Sequence, residues 1–368
     1  MPDWLVKILG TVYTRMPAGL RPFAKRVFVQ GLLRLQALTS RRSLCKGMRI
    51  EFIDFEIADL EPFEFLGPRP VDVRVDAQFS TISPGTERAV LCGMPGARRP
   101  FPYTPGYSTA GVVTEAGAKS GFAMGDRVAG RMSHSSSGLL TPASMFRVPD
   151  GVDMLEASYI ELGIICLQGI RKSGIRPGER VAVIGQGLIG QMATRLARLA
   201  GADPLIAVAS SRRRASSAVG PGRADEFVSL ADDPGALARI EADVVIEAVG
   251  SSLAIAQATT AARRGGRVIL LGSSRDLGRN LDWHNIVQER DITLIGAHIG
   301  ALPTYDASPG RWTYAQEGRL FLAQLASGLV HVADMTSWKA APADCNRVYE
   351  VVAEGGREHV GIVFDWTR

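Results

Sequence analysis

Three glycines in G-x-G-x-x-G spacing, Gly185, Gly187 and Gly190, have the clearest chemical use in this sequence. The first would permit a tight turn, the second would let the backbone approach a pyrophosphate, and the third would let a helix pack closely on a strand. The N-terminus of the following helix would hold the anion through its free N–H groups and its dipole. The spacing therefore predicts a dinucleotide site formed by Gly185, Gln186, Gly187, Leu188, Ile189 and Gly190.

The residues after the next predicted strand indicate which dinucleotide binds. An NAD site usually has Asp or Glu at the end of this strand, where the carboxylate bonds the ribose 2′-OH. The matching position is Ala209 or Ser210, followed by Ser211 and Arg212, and none of these carries a carboxylate. Hydroxyl and guanidinium groups suit a 2′-phosphate, because Arg can pair with its oxygens in a bidentate way. We expect NADP(H), with NAD(H) less favoured; a solvated basic loop is the simpler alternative.

A strand must precede the glycines and a helix must follow them. Apolar residues at 181–184 predict a buried strand, the pattern at 188–200 predicts a helix, and 205–209 predicts the second strand. Further strands are predicted at 226–229, 243–248, 267–271 and 292–295. Ligands bind at the carboxyl ends of such strands. We therefore expect the cofactor to be lined by Val249, Gly250 and Gly272.

The chain on either side of this region reads differently. Patterns at 48–55 and 71–82 predict strands joined by a Pro-containing loop, and a helix is predicted at 157–174. From about Ala301 the pattern alternates helix and strand, ends at 360–364, and is expected to return to the β-rich part. The predicted fold class is α/β: a β-rich domain and a doubly wound parallel sheet, with an N-terminal helical extension. The predicted boundaries are 1–47, 48–165, 166–300 and 301–368.

The basic character of the protein is concentrated at its N-terminus. The 368 residues carry a net charge of +5, but residues 1–47 hold nine Lys or Arg and one acid. That segment is therefore +8 and the remainder is −3, which argues against a nucleic-acid partner. The four cysteines, at 45, 92, 166 and 345, include no C-x-x-C. Neither a thiolate zinc site nor a disulfide framework is expected.

Residues 1–47 have two basic amphipathic patterns, at 4–12 and 28–38, separated by Pro17 and Pro22. Such a helix can lie on an anionic membrane surface, pack on the protein's own body or a second subunit, or belong to a transit peptide. We favour packing or membrane-surface contact, and the sequence leaves both open. We expect a cytoplasmic protein, with peripheral membrane contact as an option.

Several further motifs occur in a familiar order: Gly85-Thr86-Glu87, Pro105-Gly106-Tyr107, Gly111-Val112-Val113, Gly125-Asp126-Arg127-Val128, the fingerprint at 185–190, and the run at 243–250. In these motifs the chain from Met48 onward resembles the medium-chain dehydrogenase/reductase superfamily. The resemblance implies a GroES-like catalytic domain, a Rossmann domain, a cleft between them that takes a small-molecule substrate, and a homodimer joined through Rossmann edge strands. It is most similar to a zinc-lacking branch that includes bacteriochlorophyllide dehydrogenases and reductases of sugar and cyclitol pathways.

The departures from the zinc-dependent members concern the metal ligands. Those members carry C-G-T-D and G-H-E where this chain has Pro84-Gly85-Thr86-Glu87 and Gly106-Tyr107-Ser108. Pro84 and Tyr107 thus replace the ligating Cys and His, and the four-cysteine structural lobe is also missing. Because zinc needs thiolate, imidazole or carboxylate ligands, we expect no catalytic zinc.

Without a metal, hydrogen-bond donors must stabilise the oxyanion that develops during hydride transfer, or a general acid must protonate it. The resemblance matches Thr86 to a proton-relaying hydroxyl and Glu161 to an acid near the metal. The candidate catalytic residues are Thr86, Tyr107, Ser108, His134 and Glu161.

Each candidate also has a structural alternative. Tyr107 could simply fill the space left by the metal, Glu161 could cap or salt-bridge the interdomain helix, and His134, in a polar loop, is expected at the surface. Glu87 is expected to bond backbone or Arg88. Two further histidines, His284 and His298, follow predicted strands of the nucleotide domain and are expected near the substrate.

The predicted function is hydride transfer between NADP(H) and a secondary alcohol or ketone, such as a polyol, sugar or cyclitol. Two alternatives stay open. One is an enoyl or quinone reductase, which needs little acid catalysis beyond solvent. The other is a non-catalytic nucleotide-binding protein attached to a membrane or partner through residues 1–47.

Overall fold

Within the residues that the structure describes, the strands form two large sheets and one separate hairpin. The computed structural model describes residues 21–40, 42–275, 283–303, 305–308, 311–356 and 358–368. The strands are β1 (Leu44–Asp54), β2 (Ile57–Leu66), β3 (Val73–Thr81), β4 (Thr109–Ala116), β5 (Arg127–Gly130), β6 (Ser137–Leu140), β7 (Met145–Arg147), β8 (Val181–Ile184), β9 (Leu205–Ala209), β10 (Glu226–Ser229), β11 (Ala242–Glu247), β12 (Ala262–Leu270), β13 (Thr293–Gly296), β14 (Thr336–Ala340) and β15 (Gly361–Asp365).

The helices lie mostly between the strands of the nucleotide half and at the two ends of the chain. They are α1 (Arg21–Ser40), α2 (Pro84–Leu91), α3 (Met154–Ala157), α4 (Ile160–Ser173), α5 (Leu188–Leu199), α6 (Ala215–Ala218), α7 (Leu237–Ile240), α8 (Ser252–Ala261), α9 (Tyr314–Ala326) and α10 (Cys345–Ala353).

The predicted doubly wound sheet is confirmed. Six parallel strands lie in the order β10-β9-β8-β11-β12-β13. All four residues of β8 are buried, as expected for a strand covered by helices on both faces. The strand order reverses between β8 and β11, which is where such sheets open a ligand crevice. β12 begins five residues earlier than predicted, through the exposed Arg263 and Arg264.

The second sheet is built around β3. Seven strands take part, in the order β14-β15-β3-β4-β5-β7, with β6 also pairing with β3. The C-terminal strand β15 runs antiparallel to β3, so the end of the chain does return to the β-rich half. The predicted helix at 157–174 is confirmed as α4, which begins at Ile160, and the short α3 precedes it and ends at Ala157. Gly174 ends α4 with φ +59°, a left-handed C-terminal conformation that glycine favours.

The prediction of a Pro-containing loop after β1 was wrong. Residues 57–66 form β2, which pairs antiparallel with β1 as a two-stranded sheet. Pro62 lies opposite Met48 and is tolerated because this hairpin has only edge strands. β1 begins at Leu44, so the predicted boundary at residue 47 falls inside a strand.

Helix α1 contains the second amphipathic stretch predicted from the sequence; the first, at 4–12, lies outside the described residues. α1 contacts β1 and β2, and the Arg34 guanidinium bonds the Glu64 carboxylate at 3.2 Å. Leu35 and Leu38 of the same helix are 57% and 79% exposed. Within the described parts of the chain, no helix combines the length and the apolar character needed to cross a bilayer.

Candidate functional site

A cavity of about 410 Å³ lies between the carboxyl ends of the parallel strands and the turns of the β-rich half. The wall from the nucleotide half is formed by Gly187, Leu188, Ile189, Arg214, Ala248, Val249, Gly250, Leu271, Gly272, Ser273 and Arg275. The facing wall includes Ser83, Pro84, Gly85, Thr86, Arg88, Met94, Tyr107, Gly355, Gly356, His359 and Val360. Leu162 and Ile165 of α4 complete it. None of the described lining residues is Asp or Glu, so the cavity suits an anionic ligand.

Gly187, Leu188 and Ile189 of the predicted fingerprint line this cavity. Gly185 has φ +92°, and a Cβ there would lie 2.5 Å from Val249. A Cβ on Gly190 would lie 1.6 Å from the Gly185 carbonyl oxygen, so only glycine allows this packing. Gly187 precedes α5 without a side-chain cap, which leaves the first N–H groups of the helix for an anion. These features fit a dinucleotide pyrophosphate.

Gln186 contributes to the fingerprint only through its backbone. Its side chain is buried, and Nε2 donates to the Val183 carbonyl at 2.9 Å. The side chain points into the sheet, so the predicted contact of Gln186 with a cofactor would be made by its backbone.

The guanidinium that lies at the fingerprint belongs to Arg214 and not to Arg212. Arg212 is exposed and pairs with Asp232 at 2.5 Å. Residues 212–214 form a short 3₁₀ turn, whose tight winding directs these two side chains to different neighbours. Arg214 lines the cavity, and its Nη1 donates to the Gln186 carbonyl at 3.3 Å. The neighbouring Ser210 and Ser211 are exposed at the end of β9.

Arg214 also reaches the opposite wall. Its Nη2 donates to the Gly356 carbonyl at 3.3 Å and to the His359 carbonyl at 2.7 Å. Arg214 thus connects the nucleotide half with the segment that leads into β15.

The other predicted cofactor residues lie where the strand ends place them. Val249 and Gly250 follow β11, Gly272 follows β12, and all three line the cavity. Gly250 has φ +83°, and a Cβ on Gly272 would lie 2.4 Å from the Gly250 nitrogen. The Glu247 carboxylate accepts from the Val249 and Gly250 nitrogens at 2.6 and 2.7 Å, which sets this turn.

Thr86 and Tyr107 meet in the facing wall, although they are far apart in sequence. Ser83, Thr86 and Tyr107 all line this wall, and the Ser83 and Thr86 side chains lie beside the Tyr107 hydroxyl. Burial raises the pKa of Tyr107 to about 12, and the nearby carboxylates of Glu87 and Glu161 also raise it. Tyr107 is therefore a neutral hydrogen-bond donor at physiological pH and not a base.

Glu161 lies at the start of α4 and is fully buried. It accepts from Nη2 of Arg131 at 2.9 Å, and from Nε at 3.2 Å. The Tyr314 hydroxyl donates to its other oxygen. Burial raises the pKa of Glu161, while Arg131 and Tyr314 lower it. The salt bridge expected as an alternative is present, and its partner is Arg131.

Arg131 and Tyr314 were missed from the sequence. They lie 30 and 153 positions from Glu161, and neither belongs to a motif. Only the packing of α9 and the end of β5 against α4 brings them together.

Ser108 and His134 do not reach the cavity. Ser108 is buried, donates to the Ser158 carbonyl at 2.6 Å, and accepts from the Glu161 nitrogen at 3.1 Å. Its hydroxyl proton is thus used in the protein interior. His134 is fully buried, so its predicted surface position was wrong. The polar groups of this loop bond other segments of the β-rich half: His134 lies against Ser80 and Glu87, and Ser137 donates to Asp76.

The remaining predicted polar residues have structural neighbours. Glu87 accepts from the Ser83 nitrogen at 2.8 Å, as expected, whereas Arg88 donates to the Ala353 carbonyl at 2.8 Å. The His284 side chain is 67% exposed beside Glu289, and His298 Nδ1 accepts from the Gly300 nitrogen at 3.1 Å. Neither His284 nor His298 lines the cavity. His359, which had no predicted role, does.

The residues of this wall do not fit a zinc ion. Across the described ranges, no group of three or more His, Cys, Asp or Glu side chains could hold a metal. Pro84 and Tyr107 occupy the positions of the family's Cys and His ligands. The nearest carboxylates, Glu87 and Glu161, already accept hydrogen bonds from protein donors. Proline offers zinc no ligand, and phenol is not among its usual ones.

Comparisons with known proteins give a consistent family. Residues 189–311 match the zinc-binding dehydrogenase family. A Rhizobium meliloti (strain 1021) protein named "Putative D-xylulose reductase" is 31% identical over 255 residues, 56% of this chain and 73% of that protein. The 2-dehydro-3-deoxy-L-galactonate 5-dehydrogenase of Pseudoalteromonas atlantica is 24% identical over 311 residues, 74% of this chain and 88% of the relative.

A solved structure supports the fold. The "putative zinc-binding dehydrogenase" from Sinorhizobium meliloti 1021, bound to NADP, superposes with a TM-score of 0.73 at 22% identity. The superposition covers 87% of this chain and 99% of the other. With its Rossmann sheet, GroES-like sheet and intervening cleft, the chain belongs to the zinc-binding dehydrogenases of the medium-chain dehydrogenase/reductase type and is an NAD(P)-dependent oxidoreductase of the alcohol-dehydrogenase kind.

Proposed function

We propose that the protein is an NADP(H)-dependent oxidoreductase that works without zinc and interconverts a secondary alcohol and a ketone on a polyol, sugar or cyclitol. The observation that carries this proposal is the position of Tyr107 beside Thr86 and Ser83 in the cavity wall opposite the fingerprint. Two relatives named as a 5-dehydrogenase of a sugar acid and a reductase of a sugar support the substrate class.

The cofactor would be held by the fingerprint, by the turn at Val249 and Gly250, and by Gly272. Bound there, it supplies the hydride. Arg214 and the exposed Ser210 and Ser211 provide the guanidinium and hydroxyl groups that suit a 2′-phosphate. The NADP in the Sinorhizobium meliloti structure supports the same choice.

The protein's own contribution to the chemistry is the hydroxyl of Tyr107. A neutral phenol held in a buried wall can donate a hydrogen bond to the substrate oxygen, where negative charge develops as the carbonyl accepts a hydride. The side chains of Thr86 and Ser83 lie beside this hydroxyl and would orient it. Glu161 lies behind Tyr107 and is held by Arg131, so its carboxylate contributes to the field at Tyr107 without contacting the cavity.

Two titrations and a substrate panel test the proposal. NADPH and NADH are titrated into the purified full-length protein, and polyols, cyclitols, sugar ketones, enones and quinones are then assayed with the tighter nucleotide. Tighter NADPH binding with turnover of alcohols or ketones is the expected result. Turnover of enones or quinones alone would assign the alternative reductase activity, and nucleotide binding without any turnover would indicate the non-catalytic alternative.

We also propose a homodimer formed through an edge of the Rossmann sheet. Strand β13 is an edge strand, and its residues Leu294 and Ile295 are only partly buried. A second copy could extend the sheet there. Light scattering during size-exclusion chromatography should give twice the mass of one chain for the unaltered protein. The Ile295→Lys variant should give the mass of a single chain.

A third part of the proposal concerns the N-terminal extension. Residues 1–47 carry a charge of +8, and α1 exposes Leu35 and Leu38. Both features suit an anionic membrane surface. Flotation with phosphatidylglycerol vesicles should recover the protein, whereas neutral phosphatidylcholine vesicles should not. Equal recovery from both would argue against charge-driven contact.

A further inference from the structure

Thr86 and Tyr107 lie on two separate loops. The relative position of these loops must be fixed if the two side chains are to act together. Thr86 is in the first turn of α2, and Tyr107 precedes β4. In the zinc-dependent relatives described above, these loops carry two ligands of one metal. This chain has Pro84 and Tyr107 instead, so the loops need another connection. A buried pair, Glu87 and His134, lies beneath both.

Glu87 anchors the first loop. Its carboxylate is buried, and Oε1 accepts from the Ser83 nitrogen at 2.8 Å. Oε2 accepts from the Tyr349 hydroxyl at 2.5 Å and lies 3.2 Å from Nε2 of His134. The bond from the Ser83 nitrogen to the Glu87 carboxylate closes the turn from Ser83 to Glu87, and Thr86 lies within this turn. The position of the Thr86 hydroxyl therefore depends on the position of the Glu87 carboxylate.

His134 anchors the second loop. Its backbone nitrogen donates to the Pro105 carbonyl at 3.0 Å. Gly106 has φ +86°, and a Cβ there would lie 2.6 Å from the imidazole, so the ring packs directly against the backbone beside Tyr107. The imidazole is therefore in contact with the loop that carries the Tyr107 hydroxyl.

The orientation of the imidazole is set from both sides. Nδ1 of His134 lies 2.7 Å from the Ser80 hydroxyl oxygen, which also accepts from Nε1 of Trp366 at 2.8 Å. Nε2 faces the Glu87 carboxylate at 3.2 Å, so both ring nitrogens of His134 have a partner. Every polar group of this network then has a partner, which is the condition for a rigid buried network.

We propose that the Glu87–His134 pair is a positioning unit that holds Thr86 and Tyr107 in register, in place of a shared metal ion. The unit acts from beneath the wall of the cavity and touches neither substrate nor cofactor. This inference rests on the proposed role of Tyr107. A misplacement of a reacting group by about 1 Å can reduce a rate about 100-fold, so loss of the unit should be measurable in turnover.

The first test replaces Glu87 by Gln in the full-length protein. The new amide can still accept from the Ser83 nitrogen, but its NH₂ group faces the donors of Tyr349 and His134. We expect kcat per folded protein to fall about 10- to 100-fold, while the dissociation constant of NADPH changes less than about twofold, because the fingerprint lies in the other sheet. Glu317→Gln is the matched control, since Glu317 is equally buried and paired with Arg171 at 2.7 Å.

A pair of histidine variants separates positioning from general stability. His134→Gln can place an amide near Nε2 and keep the bond to Glu87, whereas His134→Asn can place it near Nδ1 and lose that bond. We expect His134→Gln to retain several-fold more turnover than His134→Asn. Tyr349→Phe removes one donor to Glu87 and keeps the ring, and should cause a smaller loss; it decides the matter if Glu87→Gln does not fold.

The outcomes are distinct from those of the proposed function. If Tyr107→Phe is inactive and Glu87→Gln matches the Glu317→Gln control, the positioning unit is overturned and the role of Tyr107 stands. Equal turnover in the two histidine variants would also overturn it. If Tyr107→Phe itself keeps full turnover, the proposed function fails together with this inference.

Discussion

Arg214 lies directly against Gly187, the middle glycine of the fingerprint. A Cβ on Gly187 would lie 3.4 Å from Nη1 of Arg214, and the guanidinium also bonds the Gln186 carbonyl at 3.3 Å. We predict that Arg214→Ala weakens NADPH binding about 10- to 100-fold, the value of one lost charge-assisted hydrogen bond. NADH, which lacks the 2′-phosphate, should lose less.

Arg212→Ala is the control for this prediction. Arg212 is exposed and pairs with Asp232, so its removal should change both affinities less than about threefold. Fluorescence titration of the bound nicotinamide measures all four constants. If Arg212→Ala weakens NADPH more than NADH and Arg214→Ala weakens both equally, Arg212 and not Arg214 recognises the 2′-phosphate.

Tyr107→Phe tests the proposed hydrogen-bond donor. We expect kcat to fall about 100- to 1,000-fold, as for removal of a donor to a developing oxyanion, with NADPH affinity unchanged. The protonated phenol is the active form, and the pKa of Tyr107 is raised to about 12. Turnover in the reductive direction should therefore show no loss from Tyr107 ionisation below about pH 11. An alkaline limb near pH 9 that disappears in Tyr107→Phe would contradict this.

Arg131→Leu tests the ion pair behind Tyr107. Glu161 is fully buried and Arg131 is half exposed, so the variant leaves a buried carboxylate with only Tyr314 as a side-chain donor. We predict a loss of about 2 kcal/mol in the free energy of unfolding at pH 7. Because burial already raises the pKa of Glu161, the carboxylate takes up a proton at a higher pH in the folded state than in the unfolded state. The loss should therefore shrink as the pH falls toward the ordinary carboxyl range.

The double variant Arg131→Leu/Glu161→Gln checks the origin of that loss. Without a charge to bury, it should recover part of the stability at pH 7, measured by urea denaturation. Equal stability of the single and double variants would mean that the carboxylate is not the source.

Gly106→Ala tests the contact between the second loop and His134. Both the positive φ of 86° and the approach of 2.6 Å to the imidazole oppose a Cβ, and we predict a loss of about 3 kcal/mol in unfolding free energy. Gly96→Ala is the matched control, because Gly96 has φ +70° with no atom within 4 Å of the added Cβ. It should lose only about 1 kcal/mol. Similar losses at the two sites would show that the imidazole moves away freely.

Elemental analysis tests the absence of a catalytic zinc. Protein purified without chelators should contain well under one zinc per chain, and EDTA should leave turnover unchanged. One zinc per chain that is lost together with activity would overturn the reading of Pro84 and Tyr107.

The nucleotide half could be predicted from the sequence because its signals are local. The buried strand at β8, the glycines after it and the helix at α5 are contiguous in sequence. Strand ends at Val249 and Gly272 follow from the same periodicity. The hairpin partner β2 was missed because Pro62 reads as a loop signal, and only its position in an edge strand makes it compatible with pairing.

The polar groups of the site were harder to predict because their partners are distant in sequence. The polar loop around His134 suggests a surface, yet the fold places its imidazole between Ser80 and Glu87. Arg212 and Arg214 are both arginines of the same short run, and only the winding of the turn decides which of the two side chains reaches the fingerprint. Glu161 could be identified, but Arg131 and Tyr314 become its partners only through tertiary packing.

The reach of Arg214 across the cavity has a practical consequence for redesign of the cofactor preference. The same guanidinium lies at the fingerprint and bonds the carbonyls of Gly356 and His359 on the other wall. Exchanging it for an acidic residue to favour NADH would also release the segment that leads into β15. A change of cofactor preference at this position therefore needs a second substitution that restores the connection between the two walls. Without it, the altered enzyme would bind NADH better but would have a less well-defined cleft.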